Sequence, residues 1–311
     1  MSFDPSALGE LYPWQPGRLA VTGGAELSFL DEGPRGGDTL LMVHGNPTWS
    51  FYYRGLVEAL SDRFRCVVPD HVGMGASDKP QDYPYTLGTH VANLQALTDH
   101  LGLRERVTLV VHDWGGAIGV GWAARNLQAV DRLVVLNTAA FRSPRIPFSI
   151  NLCRIPGFGA LAVRGLNAFA RAAVVRAART RLPAPVARGY TAPYGSWADR
   201  IATLRFVEDI PMHPGVPSWA VMDEVEAALP ALRDRPMLIC WGGADFCFDD
   251  TFLAGWRERF PAAEVHRFAE AGHYVLEDAG PQVLERVEAF LARTAAGAAP
   301  EAPQQATRSG A

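Results

Sequence analysis

Asp113 is the residue whose setting first calls for a chemical explanation. It follows the apolar run Val107-Thr108-Leu109-Val110-Val111 and precedes Trp114-Gly115-Gly116-Ala117-Ile118-Gly119, a stretch of small residues. A buried strand that passes through a tight turn into a helix rich in small residues is the layout of a nucleophile elbow, which exposes one side chain at a strained tip. A carboxylate at that tip attacks carbon and leaves as an ester. Its electrophiles are sp3 carbons bearing a leaving group: alkyl halides, epoxides and strained lactones. Taken alone, an aspartate before a helix reads as an N-cap. Flanked by His112, Trp114, Gly115 and Gly116 at the end of an apolar strand, Asp113 reads better as a nucleophile. Val111 stands where the first glycine of G-x-nucleophile-x-G belongs, so a slightly opened elbow is expected.

Such a nucleophile needs a base, a group that orients the base, and donors for the departing anion. In this layout the chain order is nucleophile, acid, histidine. His273, in Glu270-Ala271-Gly272-His273-Tyr274 just after the last expected strand, is placed to be the base. His71, His90, His100, His213 and His266 lack that placement. Asp245 follows Gly242-Gly243-Ala244 at the carboxyl end of a strand, where ligands gather in open α/β sheets, and is the candidate acid. Asp249 and Asp250 read as the N-cap and first turn of the next helix. The preceding strand ends in Leu136-Asn137-Thr138-Ala139-Ala140-Phe141, which offers no carboxylate. For the departing anion, Trp114 supplies an indole N–H, and Asn46 in His44-Gly45-Asn46-Pro47 supplies an amide N–H on a loop that should face the elbow.

These residues must be carried by a scaffold, and its pattern is visible. Leu27 to Leu30, Thr39 to Val43, Cys66 to Pro69, Val107 to Val111 and Leu133 to Leu136 read as strands. Helices alternate with them, one capped by Thr86 and running through Leu94, Leu97 and Leu101. Strand alternating with helix predicts right-handed crossovers and a mostly parallel sheet, an α/β fold. From 141 to 217 the alternation stops, leaving helix-like runs such as Leu161 to Arg181 between prolines. It resumes with strands at Met237 to Trp241 and Val265 to Phe268, and helices near Asp250 to Phe260 and Pro281 to Ala292. The expected organisation is a core formed by 1–140 and 218–293, a helical cap over 141–217 acting as a lid, and a disordered Ala/Pro/Gln/Gly-rich tail over 294–311.

Composition narrows the alternatives. The chain has 311 residues, 48% hydrophobic and 20% charged, with material for a sizeable core. A net charge of -4 and a pI near 6.1 give no reason to expect nucleic acid as a partner. Met1 to Arg18 does not resemble a signal peptide, and no apolar stretch approaches the roughly 20 residues of a transmembrane segment. Cys66, Cys153, Cys240 and Cys247 lack metal-ligand spacing, so thiols in a reducing cytoplasm are expected, with no metal and no cofactor. Arg171, Arg176, Arg179 and Arg181, interleaved with Phe169, Val174, Val175 and Leu182, suggest a basic amphipathic helix, whose plainer reading is a solvated face.

Over about residues 10 to 293 the sequence resembles the haloalkane dehalogenase branch of the α/β-hydrolase superfamily. The likeness rests on His44-Gly45-Asn46-Pro47-Thr48-Trp49-Ser50, on His112-Asp113-Trp114-Gly115-Gly116, and on Asp245 with His273. The resemblance implies an α/β-hydrolase fold with its cap inserted after the sixth strand. It implies Asp113 as nucleophile, His273 as base, Asp245 as acid, and Asn46 with Trp114 as the anion site. Further stretches are similar to an offshoot of that branch, the β-lactone decarboxylases of bacterial long-chain olefin biosynthesis. They are Asn137-Thr138-Ala139-Ala140-Phe141, Ala192-Pro193-Tyr194, Phe206-Val207-Glu208-Asp209-Ile210-Pro211, Cys247-Phe248-Asp249 and His273-Tyr274-Val275-Leu276-Glu277-Asp278. That likeness implies conversion of cis-3,4-dialkyl β-lactones to cis-olefins and carbon dioxide, a small hydrophobic substrate, and assembly with other enzymes of the olefin pathway. The alternatives are hydrolysis of haloalkanes and, beyond it, of epoxides, for which Tyr190 and Tyr194 would have to polarise the ring oxygen.

Overall fold

A computed structural model describes residues 3–295. Its centre is set by strands buried at every position: β3 (Thr39–Val43), β5 (Val107–Asp113) and β7 (Met237–Gly242). Continuous apolar runs of this kind require cover on both faces, the condition under which parallel sheets form. The remaining strands are β1 (Gly17–Ala20), β2 (Glu26–Glu32), β4 (Arg65–Pro69), β6 (Val130–Thr138) and β8 (Glu264–Phe268). All eight join one sheet in the order β1-β2-β4-β3-β5-β6-β7-β8. β1 and β2 pair antiparallel, as do β2 and β4, and every other pairing is parallel. β1 has no signature in the sequence, because it is a short edge strand whose four residues alternate between half-buried and exposed.

Alternate residues of each strand feed opposite cores. Leu41, Val43, Leu109 and Val111 pack into one apolar cluster, while Leu40, Met42 and Val110 pack into the other. The helices covering the sheet are α1 (Arg54–Leu60), α2 (Leu87–His100) and α3 (Trp114–Ala123), then, after an excursion, α8 (Ser218–Ala228), α9 (Asp250–Arg259), α10 (Val275–Asp278) and α11 (Gly280–Arg293). Thr86 caps α2 by accepting a hydrogen bond from Thr89 N, and Asp249 caps α9 through Thr251 N.

The excursion after β6 contains α4 (Phe148–Leu152), a π-helical turn (Ala160–Gly165), α5 (Ala168–Arg176), α6 (Ala184–Thr191) and α7 (Ile201–Glu208). The continuous helix suggested by the Leu161 to Arg181 run does not form. Asn167 takes a left-handed conformation (φ 54°) that splits it, a state asparagine tolerates better than most residues. α5 then stops at Arg176, so Arg179 and Arg181 lie outside it and the expected basic helix is shorter than its sequence pattern. Among the described residues no helix is long and apolar enough to cross a membrane. Beyond Ala295 the expected disordered tail lies outside the described residues.

Candidate active site

Asp113 ends β5 with φ 52° and ψ -126°, a strained conformation for a residue with a side chain, costing about 1–3 kcal/mol. It does not act as an N-cap, since its carboxylate makes no capping hydrogen bond to α3. Instead Oδ1 accepts from the backbone N–H of Asn46 at 2.7 Å, across from the β3 loop, while the Thr138 hydroxyl donates to the Asp113 carbonyl. The β5–β6 register shifts between His112 and Asp113, which turns the tip out of the sheet. Two glycines make the turn sterically possible: a Cβ on Gly115 would lie 1.9 Å from the Val43 carbonyl oxygen, and one on Gly45 would lie 2.0 Å from Asp113 Oδ1. Val111 stands at the position of the missing glycine. Its side chain fits because α3 carries Gly119 opposite, where a Cβ would stand 2.7 Å from Val111 Cγ1.

His273, on the loop between β8 and α10, faces two carboxylates. Its Nδ1 lies 2.8 Å from Asp245 Oδ2, and its Nε2 lies 3.5 Å from Asp113 Oδ2. All three residues are buried. Asp245 is itself held: Asn137 Nδ2 donates to Oδ2 at 2.9 Å and the Cys247 backbone N–H donates to Oδ1 at 2.6 Å. Asn137 completes its own bonding by accepting from Gly242 N at 2.7 Å. From the other side His112 Nε2 donates to the His273 carbonyl at 2.9 Å, its ring 4.5 Å from that of His273, and Phe248 stacks on the same imidazole at 5.7 Å. The sequence shows Asn137, His112 and Phe248 within motifs but assigns none of them a role in this site.

The electrostatics follow from this enclosure. Burial alone would lower the His273 imidazole, but Asp245 and Asp113 outweigh it and raise it well above the ordinary histidine range. Burial alone would raise the Asp113 carboxyl, yet His273, helped by the Asn46 N–H, holds it below the usual carboxylate range. At neutral pH the pair therefore rests as carboxylate and imidazolium. Consuming the Asp113 charge as an ester would remove one of the two carboxylates that support the imidazolium, so the basicity of His273 would fall at that stage.

Asn46 and Trp114 both border the cavity above Asp113. One Asn46 amide N–H is committed to the Thr203 carbonyl at 3.1 Å, which leaves the second. The half-buried Trp114 packs edge-on against Phe206 at 5.3 Å. The cavity holds about 380 Å³ and is overwhelmingly apolar, with Ala139, Phe141, Ile150, Phe169, Val207 and Phe248 among its walls. Asp113 and His273 are also among its walls. Tyr190 and Tyr194 are not in the lining; the Tyr190 hydroxyl is bound to Glu277. Polarisation of a ring oxygen by these two tyrosines therefore has no geometric support.

A family model described as alpha/beta hydrolase fold matches residues 38–280. The chain belongs to the alpha/beta hydrolase family. Within it, this hydrolase-fold chain is 48% identical over 277 residues to a protein of Shewanella oneidensis named cis-3-alkyl-4-alkyloxetan-2-one decarboxylase, covering 87% of this chain and 86% of that one. It is 47% identical over 292 residues to a protein of the same name from Xanthomonas campestris pv. campestris, covering 91% and 97%. Among solved structures it is similar to the haloalkane dehalogenase DatA from Agrobacterium tumefaciens C58, with 27% identity, a TM-score of 0.79 and coverage of 93% and 99%. The family member described here thus falls in the branch that holds the oxetanone decarboxylases and the haloalkane dehalogenases.

Proposed function

We propose that this α/β-hydrolase-fold enzyme decarboxylates cis-3,4-dialkyl oxetan-2-ones to cis-olefins, with Asp113 as nucleophile, His273 as its charged partner and Asp245 orienting His273. The observation that carries the reading is the likeness to two decarboxylases of that name over 86% and 97% of their lengths. The apolar cavity above Asp113 supports it, being suited to alkyl chains.

In the first step an Asp113 oxygen attacks the ring carbon that bears the lactone oxygen. The C–O bond forms on the face opposite the one that breaks, and the ring opens to a free carboxylate on the neighbouring carbon. In the second step that carboxylate leaves as carbon dioxide. The electrons of the breaking C–C bond form the olefin and expel Asp113, so no water is consumed and the nucleophile is restored. Inversion at the attacked carbon followed by anti departure keeps the two alkyl arms on the same side, which gives the cis olefin. His273, resting as an imidazolium between two carboxylates, stabilises the carboxylate that opens and then the Asp113 carboxylate that returns. Asn46 and Trp114 would donate to the lactone oxygen as charge gathers there.

The test is incubation with a cis-3,4-dialkyl β-lactone and analysis of products. Olefin with carbon dioxide is expected; intact lactone, or only the hydroxy acid, would overturn the reading. A second reading, haloalkane hydrolysis, is favoured by Asn46 and Trp114 together at the cavity wall, which would suit a halide. There esterification of Asp113 would lower the basicity of His273, so that the imidazolium gives up its proton to solvent and the neutral imidazole accepts one from the water that hydrolyses the ester. Halide release from long-chain bromoalkanes at a rate matching lactone turnover would favour it.

A further inference from the structure

We infer that the outer face of the cap docks on an anionic lipid surface, so that the cavity mouth opens toward the bilayer. Residues 141–217 carry eleven arginines against Asp199, Glu208 and Asp209, a net +8 in a chain of net -4, which leaves the remainder at -12. This is a basic lobe on an acidic body, and its charge is available to a partner. Among the described residues Arg142, Arg145 and Arg205 of this segment are ion-paired, whereas its other arginines, among them Arg154, Arg164, Arg171, Arg176, Arg179 and Arg181, form no ion pair.

The same segment carries the exposed apolar surface. Of the eight large apolar side chains that stand exposed among the described residues, seven are in this segment, led by Phe148 at 77%, Val175 at 76%, Leu166 at 63% and Leu161 at 61%. The eighth is Phe246, on the loop after β7, and Arg176 lies over its ring at 5.0 Å. Trp197, also exposed, is covered in the same way by Arg164 at 4.6 Å and approaches Gly165 beside Leu161. Interleaved aromatic, aliphatic and guanidinium groups, with arginine outnumbering the few acidic groups such as Asp199 beside Trp197 and Asp278 on the Arg179 backbone, are the composition of a surface that sits at the headgroup level of a membrane. A protein partner is less well matched, because the apolar groups project from several short segments.

The patch also meets the cavity. Phe158, Phe246 and Arg176 belong both to the exposed face and to the cavity lining. A chain-bearing substrate could therefore pass from lipid to Asp113 without crossing water. This purpose rests on the proposed substrate, but the docking itself is read without any substrate.

The experiment is co-sedimentation of the full chain with vesicles of phosphatidylglycerol and phosphatidylcholine, and with vesicles of phosphatidylcholine alone, at low and high salt. Pelleting with the anionic vesicles only, reduced by salt, is expected. The double variants Arg171→Glu/Arg181→Glu and Phe148→Asp/Val175→Asp should each bind at least about tenfold more weakly, while their turnover of a short-chain lactone in solution stays native and shows that they fold. Asp113→Ala should pellet like the native chain, which separates this inference from the proposed chemistry. A chain that stays in the supernatant with anionic vesicles, equal binding to neutral ones, or native binding by both variants overturns it. The first of these outcomes would return the patch to a protein partner.

Discussion

The Nε2 atom of His273 stands 3.5 Å from Asp113 Oδ2 while its Nδ1 stands 2.8 Å from Asp245 Oδ2. One imidazole therefore bridges a carboxylate at the strained tip and another that is fixed on three sides. The bridge accounts for the raised histidine and the lowered Asp113 carboxyl together.

Asn137 is predicted to act on turnover through Asp245. It already has a positive φ of 29°, so Asn137→Gly keeps the backbone at ease and removes only the amide that holds Asp245 and Gly242. Lactone kcat should fall about 10- to 100-fold with little change in KM, the effect of losing an orienting partner. Turnover within about twofold of native would show that Asp245 needs no such support. The assay is steady-state kinetics beside a thermal melt.

Stability should fall on the acid side because several imidazoles are buried neutral. Burial lowers His71 to about 4 and His112 to about 3, and it pushes His44 and His90 well down. In the unfolded chain they titrate near 6.5, so their contribution is complete above that pH and is lost as pH falls below it. His273 works in the opposite direction: raised to about 10, it stabilises fully below 6.5 and loses its contribution as pH climbs through about 10. Urea midpoints measured across pH should therefore peak at about pH 6.5, falling on the acid side as the buried imidazoles protonate and on the alkaline side as the contribution of His273 is lost. A midpoint unchanged from about pH 7 to pH 4 would contradict the buried neutral assignments.

Gly45 and Gly115 should resist even alanine. At Gly45 the added methyl would meet Asp113 Oδ1, and at Gly115 the Val43 carbonyl. Each substitution should destabilise by about 1–3 kcal/mol. Gly45→Ala should also remove most activity, since it displaces the carboxylate itself. Native-like melting and turnover in either variant would mean that the loops are less tightly opposed.

Much of this arrangement was legible in the residues, for reasons that differ from part to part. The α/β fold could be read because β3, β5 and β7 are continuous apolar runs separated by helix-length segments. Asp113, Asp245 and His273 could be grouped because each follows such a run and their order suits one chemistry; their side chains meet at the distances given above. Asn137 was hidden because an asparagine after a strand looks like any turn residue until its partner 108 positions away is known. The compensation of Val111 by Gly119 was hidden for a related reason, since it is a contact between a strand and the helix after it. In the cap, local pattern misled: Leu161 to Arg181 has helical spacing, and one left-handed residue, Asn167, decides otherwise.

Asn46 and Trp114 test the anion site that both proposed chemistries share. Asn46→Ala and Trp114→Phe each remove a proposed donor to the departing anion, and each should lower both lactone and bromoalkane turnover, by about 10- to 1000-fold. Equal rates in native and variant chains would remove both residues from the anion site.

The most direct measurement is product analysis with a cis-3,4-dialkyl β-lactone, using the native chain and Asp113→Ala side by side. The native chain should release cis-olefin and carbon dioxide in equal amounts, and Asp113→Ala should release neither above background. Hydroxy acid as the only native product, or olefin formed at the native rate by Asp113→Ala, would contradict the assignment of Asp113 as a decarboxylating nucleophile.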